Sequence, residues 1–286
     1  MNPTRRAAII LGALASTWGV IPLIVRGVDL PSMELVALRV WAAAPLLLGV
    51  AALRGGLRLP SQLHRRRFLV AGVSLVAHWL CFFQAIKSTR VLVALVVIYA
   101  ASPVMALIAA RFLGEPLSLR AFSALLVGLG GAALAVNTGE GATAEGVMWA
   151  LAGALTLGIS LLTLKPVAAG LAGITVAGWQ FAVAAAVTTP WMVSGLGLVG
   201  ADWWKVLALG LFLTGLSGLI FWWTVGRLPV ALVGTLLYLE PVSAVTTAAI
   251  ALSEDPGARG WVGVAVVVVA GAVATRAAAP SPQHVQ

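Results

Sequence analysis

Charge is what this sequence has least of: Asp, Glu, Lys and Arg make up 9% of its 286 residues. A water-facing globular domain carries about a quarter, so a soluble fold is excluded. Cysteine occurs once, as Cys81; an intramolecular disulfide is impossible, and one apolar-embedded thiol says nothing of redox compartment. Histidine occurs three times, and His64 and His284 lie outside the apolar runs, leaving His78. A serine intramembrane protease needs Gly-x-Ser-x-Gly with a histidine downstream. The nearest match, Gly215-Leu-Ser217-Gly218, has the wrong spacing and follows His78. His, Cys and carboxylates are scattered, so no metal site is expected. No phosphate-binding loop is present either. Gly128-Leu-Gly130-Gly131 has no strand–turn–helix around it, and nothing resembles a ring-forming ion filter. The chain reads as neither an enzyme nor a channel, with no cofactor.

Apolar residues are what it has: 61% of the chain, with a mean hydropathy of +1.04. A bilayer core takes about 20 apolar residues per helix. On that ruler ten spans are expected, at 7–26, 33–53, 67–86, 91–111, 120–137, 146–165, 173–193, 203–223, 230–252 and 259–276. The runs are continuous and rich in Ala, Leu and Gly rather than alternating, which argues against a barrel.

The net charge of +9 orients the chain rather than binding nucleic acid. With the N-terminus cytoplasmic, the inside loops carry Arg5, Arg6, Arg54, Arg58, Arg65, Arg66, Arg67, Arg111, Arg120, Lys165, Arg227 and Arg276. The outside loops carry only Arg26, Lys87, Arg90, Lys205 and Arg259. Cytoplasmic loops gather Lys and Arg, so both termini are expected in the cytoplasm. The Arg65–Arg67 cluster is suited to anionic lipid.

The chain also repeats itself. Tyr99-Ala-Ala-Ser-Pro103, Leu113-Gly-Glu-Pro116 and Arg120 return about 139 residues later as Tyr238-Leu-Glu-Pro241, Leu252-Ser-Glu-Asp-Pro256 and Arg259. Gly12-Ala-Leu returns as Gly153-Ala-Leu, so the first span is expected to be a structural element rather than a cleaved leader. Division near Gly139-Glu-Gly141 gives a first repeat at 1–139, a second at 140–276, and a polar tail at 277–286 expected to be disordered and cytoplasmic. Five spans per half force the second copy to enter from the opposite side. The expected fold is an all-α integral membrane protein of ten transmembrane helices in two inverted five-helix repeats. Substrate then binds near the midplane between them.

Trp18-Gly19, Leu38-Arg39, Ser102-Pro103, Leu113-Gly-Glu-Pro116 and Leu239-Glu-Pro-Val242 together resemble the EamA-type transporters of the drug/metabolite transporter superfamily. The resemblance covers nearly the whole chain and is nearest to the YddG-type amino-acid exporters. It implies a multi-pass protein of the bacterial inner membrane, with a cavity lined by spans one, three, four, six, eight and nine.

Polar residues inside spans point to the same cavity, because intramembrane ionisable groups face the protein interior. His78 has two readings: contact with a substrate carboxylate or proton, or a neutral imidazole bonded to a neighbouring helix. Glu240, beside Pro241, could take a proton, bind a substrate amine, or satisfy backbone groups freed by the proline. Its first-half counterpart is Ser102. Arg39, whose counterpart is Gln180, weighs toward a structural role; a direct Arg39–Glu240 pair is one arrangement the sequence allows. Tyr99 and Tyr238 lie deep and need partners for their phenols. Trp18, Trp79 and Phe82 could stack on substrate, and Thr163, Thr214 and Ser217 could bond it or bridge helices. Pro103 and Pro241, with Glu240 and Arg39, are the gating or coupling candidates. Trp149, Trp191, Trp203, Trp204 and Trp261 lie near span ends, as interfacial anchors do.

The expected function is export of amino acids, including neutral and aromatic ones, or of related metabolites by alternating access. Its expected partners are a small-molecule substrate and the bilayer; the sequence leaves the oligomeric state open, a monomer included. Export of drug-like organic cations and proton-coupled metabolite antiport are the alternatives.

Overall fold

A computed structural model of the chain describes residues 2–54, 56–57, 61–135, 142–251 and 257–277. The boundary near Gly139, Arg58, the 252–256 motif and the tail beyond Ala277 lie outside the described residues. Among those described there are helices and no strands. Among the described residues nine helical segments are long and apolar enough to cross a membrane, and a shorter apolar helix covers Leu119–Ala135.

The first segment is α1 (Pro3–Trp18) and α2 (Ile21–Arg26). Then come α3 (Ser32–Leu53), α4 (Gln62–Ser88), α5 (Val91–Tyr99), α6 (Ser102–Phe112) and α7 (Leu119–Ala135). The second half holds α8 (Ala144–Gly170), α9 (Gly173–Leu198), α10 (Trp203–Gly210), α11 (Ser217–Val225), α12 (Val230–Leu237), α13 (Leu239–Ala251) and α14 (Gly257–Ala277). A π-helical turn, Leu211–Leu216, joins α10 to α11.

The prolines explain the breaks. A proline removes one N–H and crowds the carbonyl a turn earlier. The helix is interrupted just ahead of Pro22, Pro103 and Pro241, between α1 and α2, α5 and α6, and α12 and α13. Pro45, Pro166 and Pro190 sit inside continuous helices. Helix α6 stops differently. Gly114 has φ +68°, a left-handed conformation that favours glycine, and the N–H groups of Leu113 and Glu115 both donate to Ala109 O, closing the end of the helix.

The two halves interlock. Helix α3 packs on α9, α7 on α14 and α4 on α8, each pairing one element from either half. Lipid tails supply no hydrophobic drive between helices, so close approach depends on small residues. A Cβ on Gly131 would come within 2.7 Å of Val266, and one on Gly263 within 2.6 Å of Gly131 O; only hydrogen fits at that α7–α14 contact. The outer surface carries Leu69, Val73, Leu155, Val193, Phe212 and Val269, all exposed. Such an apolar exterior suits hydrocarbon, and the polar groups are turned inward. Trp191, Trp203, Trp204 and Trp261 are exposed as well.

Candidate functional site

A cavity lies between the halves, with about 800 Å³ of atom-free space when the solvent at its open mouth is counted in. Its wall includes Trp18, Arg39, His78, Trp79, Phe82, Tyr99, Thr214, Ser217 and Glu240. Ser102, Pro103, Thr163, Tyr238 and Pro241 are not part of it. Spans two and seven contribute Arg39, Gln180 and Phe181, beyond the six spans the resemblance implies.

The aromatic wall is built in pairs. Trp18 and Phe221 centroids lie 5.7 Å apart, and Trp79 meets Phe181 edge-on at 5.6 Å. His78 stacks on Phe82 at 5.9 Å with 10° between planes. Its Nδ1 lies 2.9 Å from Gly153 O. A carbonyl can only accept, so Nδ1 carries the proton in that bond and Nε2 is left without a partner among the described residues.

Three polar clusters interrupt this wall. In the first, Tyr99 donates its phenol to Glu240 Oε2 at 2.5 Å, and both side chains are buried. The repeat mate Tyr238 meets Tyr99 edge-on, with centroids 6.5 Å apart. Tyr238 approaches Ser102, yet neither hydroxyl makes a well-formed hydrogen bond. Tyr238 is instead wedged against α7, where a Cβ on Gly128 would come within 2.8 Å of its ring.

The second cluster holds Arg39, only 2% exposed. Its guanidinium carbon sits 4.4 Å from the Trp79 ring centroid and 5.2 Å from that of Phe83. Its Nε donates to Thr214 Oγ1 at 2.7 Å, while Thr214 donates to Leu209 O at 2.7 Å, five residues back across the π turn. No ion pair within 4.0 Å joins Arg39 to Glu240.

The third cluster is at Gln180, 1% exposed. It donates to Ser160 Oγ at 2.9 Å and accepts from Trp222 Nε1 at 2.7 Å, which leaves its amide oriented and occupied. Sequence reasoning named Gln180 only as the counterpart of Arg39, although that correspondence was the signal that both face one cavity.

Just beyond the cavity wall, two basic residues do the same thing in the two halves. Arg26 donates to Ile86 O at 3.1 Å and Thr89 O at 2.8 Å. Lys165, 139 residues later, donates to Val225 O and Leu228 O, each at 2.7 Å. Those carbonyls stand 139 residues after Ile86 and Thr89. Lys165 also pairs with Glu115 Oε1 at 3.1 Å. The other oxygen of Glu115 accepts from Val230 N at 2.6 Å, capping the start of α12, where backbone donors lack helical partners.

The same 139-residue correspondence runs through helix breaks, tyrosines and basic links. A model of the EamA-like transporter family matches residues 6–137 and, a second time, residues 144–276. The chain belongs to the EamA-like transporter family. Among this family member's relatives is a Bacillus subtilis (strain 168) protein named "Uncharacterized transporter YxxF", 26% identical over 228 residues, covering 76% of this chain and 72% of the relative. A solved structure described as "Crystal structure of protein" is similar in fold, with a TM-score of 0.75 and 23% identity across 96% of this chain and 98% of that one. This EamA-like chain is thus a multi-pass membrane transporter with two repeats.

Proposed function

We propose that this transporter moves neutral amino acids, aromatic ones included, or closely related metabolites out of the cell across the bacterial inner membrane. The repeats are the two five-span halves, at 1–139 and 140–276, inverted with respect to each other, with both termini cytoplasmic. The observation that carries this reading is the cavity between the halves, with its aromatic wall and few, well-held polar groups. Its aromatic pairs suit an apolar side chain, and Glu240, Arg39 and the free Nε2 of His78 suit a polar head.

Transport proceeds by alternating access. The Lys165 and Arg26 links stand one to one and a half turns beyond wall residues Leu161 and Ile21. They hold opposite ends of the cavity and release in turn. The breaks before Pro103 and Pro241 supply the bends. Facilitated movement down the substrate gradient is favoured over proton antiport, since His78 and Glu240 supply the imidazole and the carboxylate of the described cavity wall and both are already hydrogen-bonded. Export of an organic cation is the second reading, favoured by Glu240 among aromatic rings and opposed by Arg39 in the same wall.

The test is uptake of radiolabelled phenylalanine and threonine into liposomes holding the purified protein, with and without an inward-acid pH gradient. Saturable uptake indifferent to the gradient is the expected result. Uptake that appears only with the gradient would replace facilitation by proton coupling, and no uptake by folded protein would remove the amino-acid reading.

A further inference from the structure

Arg39 and Glu240 are each half-used. A guanidinium has five N–H donors, and among the described residues only Nε of Arg39 has a hydrogen-bond partner, Thr214. Its terminal nitrogens have no partner among those residues and are not among the fully buried atoms, so they keep a narrow access to the cavity that Arg39 lines. Glu240 accepts Tyr99 at Oε2, and its Oε1 is likewise unpartnered without being sealed in. Both residues line the one cavity, within electrostatic reach of each other and without a direct ion pair.

The supports of Arg39 explain how it is aimed. Trp79 and Phe83 engage its guanidinium, which holds the plane by stacking. Thr214 spends its own proton on Leu209 O, so its oxygen can only accept from Nε. That arrangement depends on the π turn, a feature that recurs at functional sites. With ring contacts and Nε fixed, the terminal edge is what remains for a ligand, and that edge matches a carboxylate bidentately. Gln180, at the counterpart position, shows the contrasting case: its amide groups are spent on Ser160, Ala71 and Trp222.

We propose that Arg39 and Glu240 form a dipolar head-group site, in which Arg39 takes the carboxylate and the free oxygen of Glu240 the ammonium of one zwitterionic substrate. The aromatic wall beside them receives the apolar side chain. This deepens the amino-acid reading above and rests on it. It reassigns Arg39 from a structural arginine to the residue that distinguishes an α-amino acid from an amine. A buried charged group whose partner is missing is strongly disfavoured, so a ligand lacking either charge leaves one side of the site unsatisfied.

The experiment is competition against radiolabelled L-phenylalanine uptake in proteoliposomes, with ligand-induced thermal stabilisation of the purified protein as the binding readout. The competitors are L-phenylalanine, L-phenylalaninamide, phenethylamine and N-acetyl-L-phenylalanine. Each analogue that has lost one charge should compete at least about tenfold more weakly. R39Q should bring phenethylamine and the amide to within about threefold of phenylalanine. Glu240→Gln should do the same for the N-acetyl compound. Should either variant fail to fold, the series on the unaltered protein still decides. Equal competition by all four compounds would overturn the dipolar site while leaving amino-acid transport standing. Stabilisation by phenethylamine alone, with no phenylalanine uptake, would overturn both.

Discussion

Arg26 and Lys165 hold the same two carbonyls in the two halves of the chain, and they do so under different conditions. Arg26 is exposed. It donates to Ile86 and Thr89, within the first half. Lys165 is buried, 7% exposed, and is bonded both to Val225 and Leu228 and to Glu115 of the other half. Because Glu115 also caps α12, one ion pair ties the end of α6, the end of α8 and the turn between α11 and α12. Duplication supplied the same link twice; burial and one carboxylate made the second the firmer lock. Glu254, which follows Glu115 by 139 residues, lies outside the described residues.

Breaking the firm lock should have the largest effect. Lys165→Met strands the Glu115 carboxylate, and losing one partner of a buried pair costs about 3–5 kcal/mol. The low end applies, because the side chains remain 9% and 16% exposed. Thermal unfolding in detergent should show a clear fall in Tm, and a Tm within a degree of the unaltered protein would contradict the assignment. Glu115→Gln keeps an acceptor for Val230 N and loses the charge, so a smaller loss, about 1–2 kcal/mol, is expected.

The two tyrosines sharpen the comparison, Tyr99 lining the cavity and Tyr238 lying behind its wall. Tyr99→Phe removes the donor that holds Glu240 and should lower the transport rate about tenfold with the fold intact, as read by initial uptake and circular dichroism. Tyr238→Phe deletes a hydroxyl that has no partner and should be neutral or slightly stabilising. Equal losses in both would show that ring packing, not the phenol, is what matters. The smallest effect is reserved for Arg26→Gln: an exposed polar link is worth about 0–1 kcal/mol, so Tm should scarcely move. A drop as large as that of Lys165→Met would erase the distinction between the links.

Much of this was legible in the sequence. Apolar runs of bilayer length gave the helices, and the 139-residue echo gave the repeats. His78, Trp79 and Phe82 occupy successive positions of one α4 face, which an intramembrane histidine flanked by aromatics suggests. Lys165 was harder. Followed by Pro166, it reads as a loop charge at the end of a span, whereas α8 continues to Gly170 and carries Lys165 inside, beside a carboxylate 50 residues earlier. Thr163 shows the limit of counting hydroxyls. The cavity face of α8 is Leu157, Ser160 and Leu161, and at 3.6 residues per turn Thr163 falls roughly a third of a turn away. Ser102 and Tyr238 are deep, as expected, but face Gly234 and Gly128, because small residues opposite them admit the backbone more closely than sequence can foretell. Pro45 and Pro166 lie within unbroken helices, since a proline weakens a helix without dictating where tertiary packing lets it break.

Alternating access as proposed above requires the Glu115–Lys165 link to open for substrate to pass. It is tested by placing cysteines at positions 115 and 165 in a chain whose Cys81 is replaced by alanine, and joining them with a reducible thiol-specific linker. Uptake of phenylalanine into liposomes is then followed before linking, after linking, and after reduction. Linking is expected to stop uptake, and reduction to restore it. Unchanged uptake with the two positions joined would contradict that requirement.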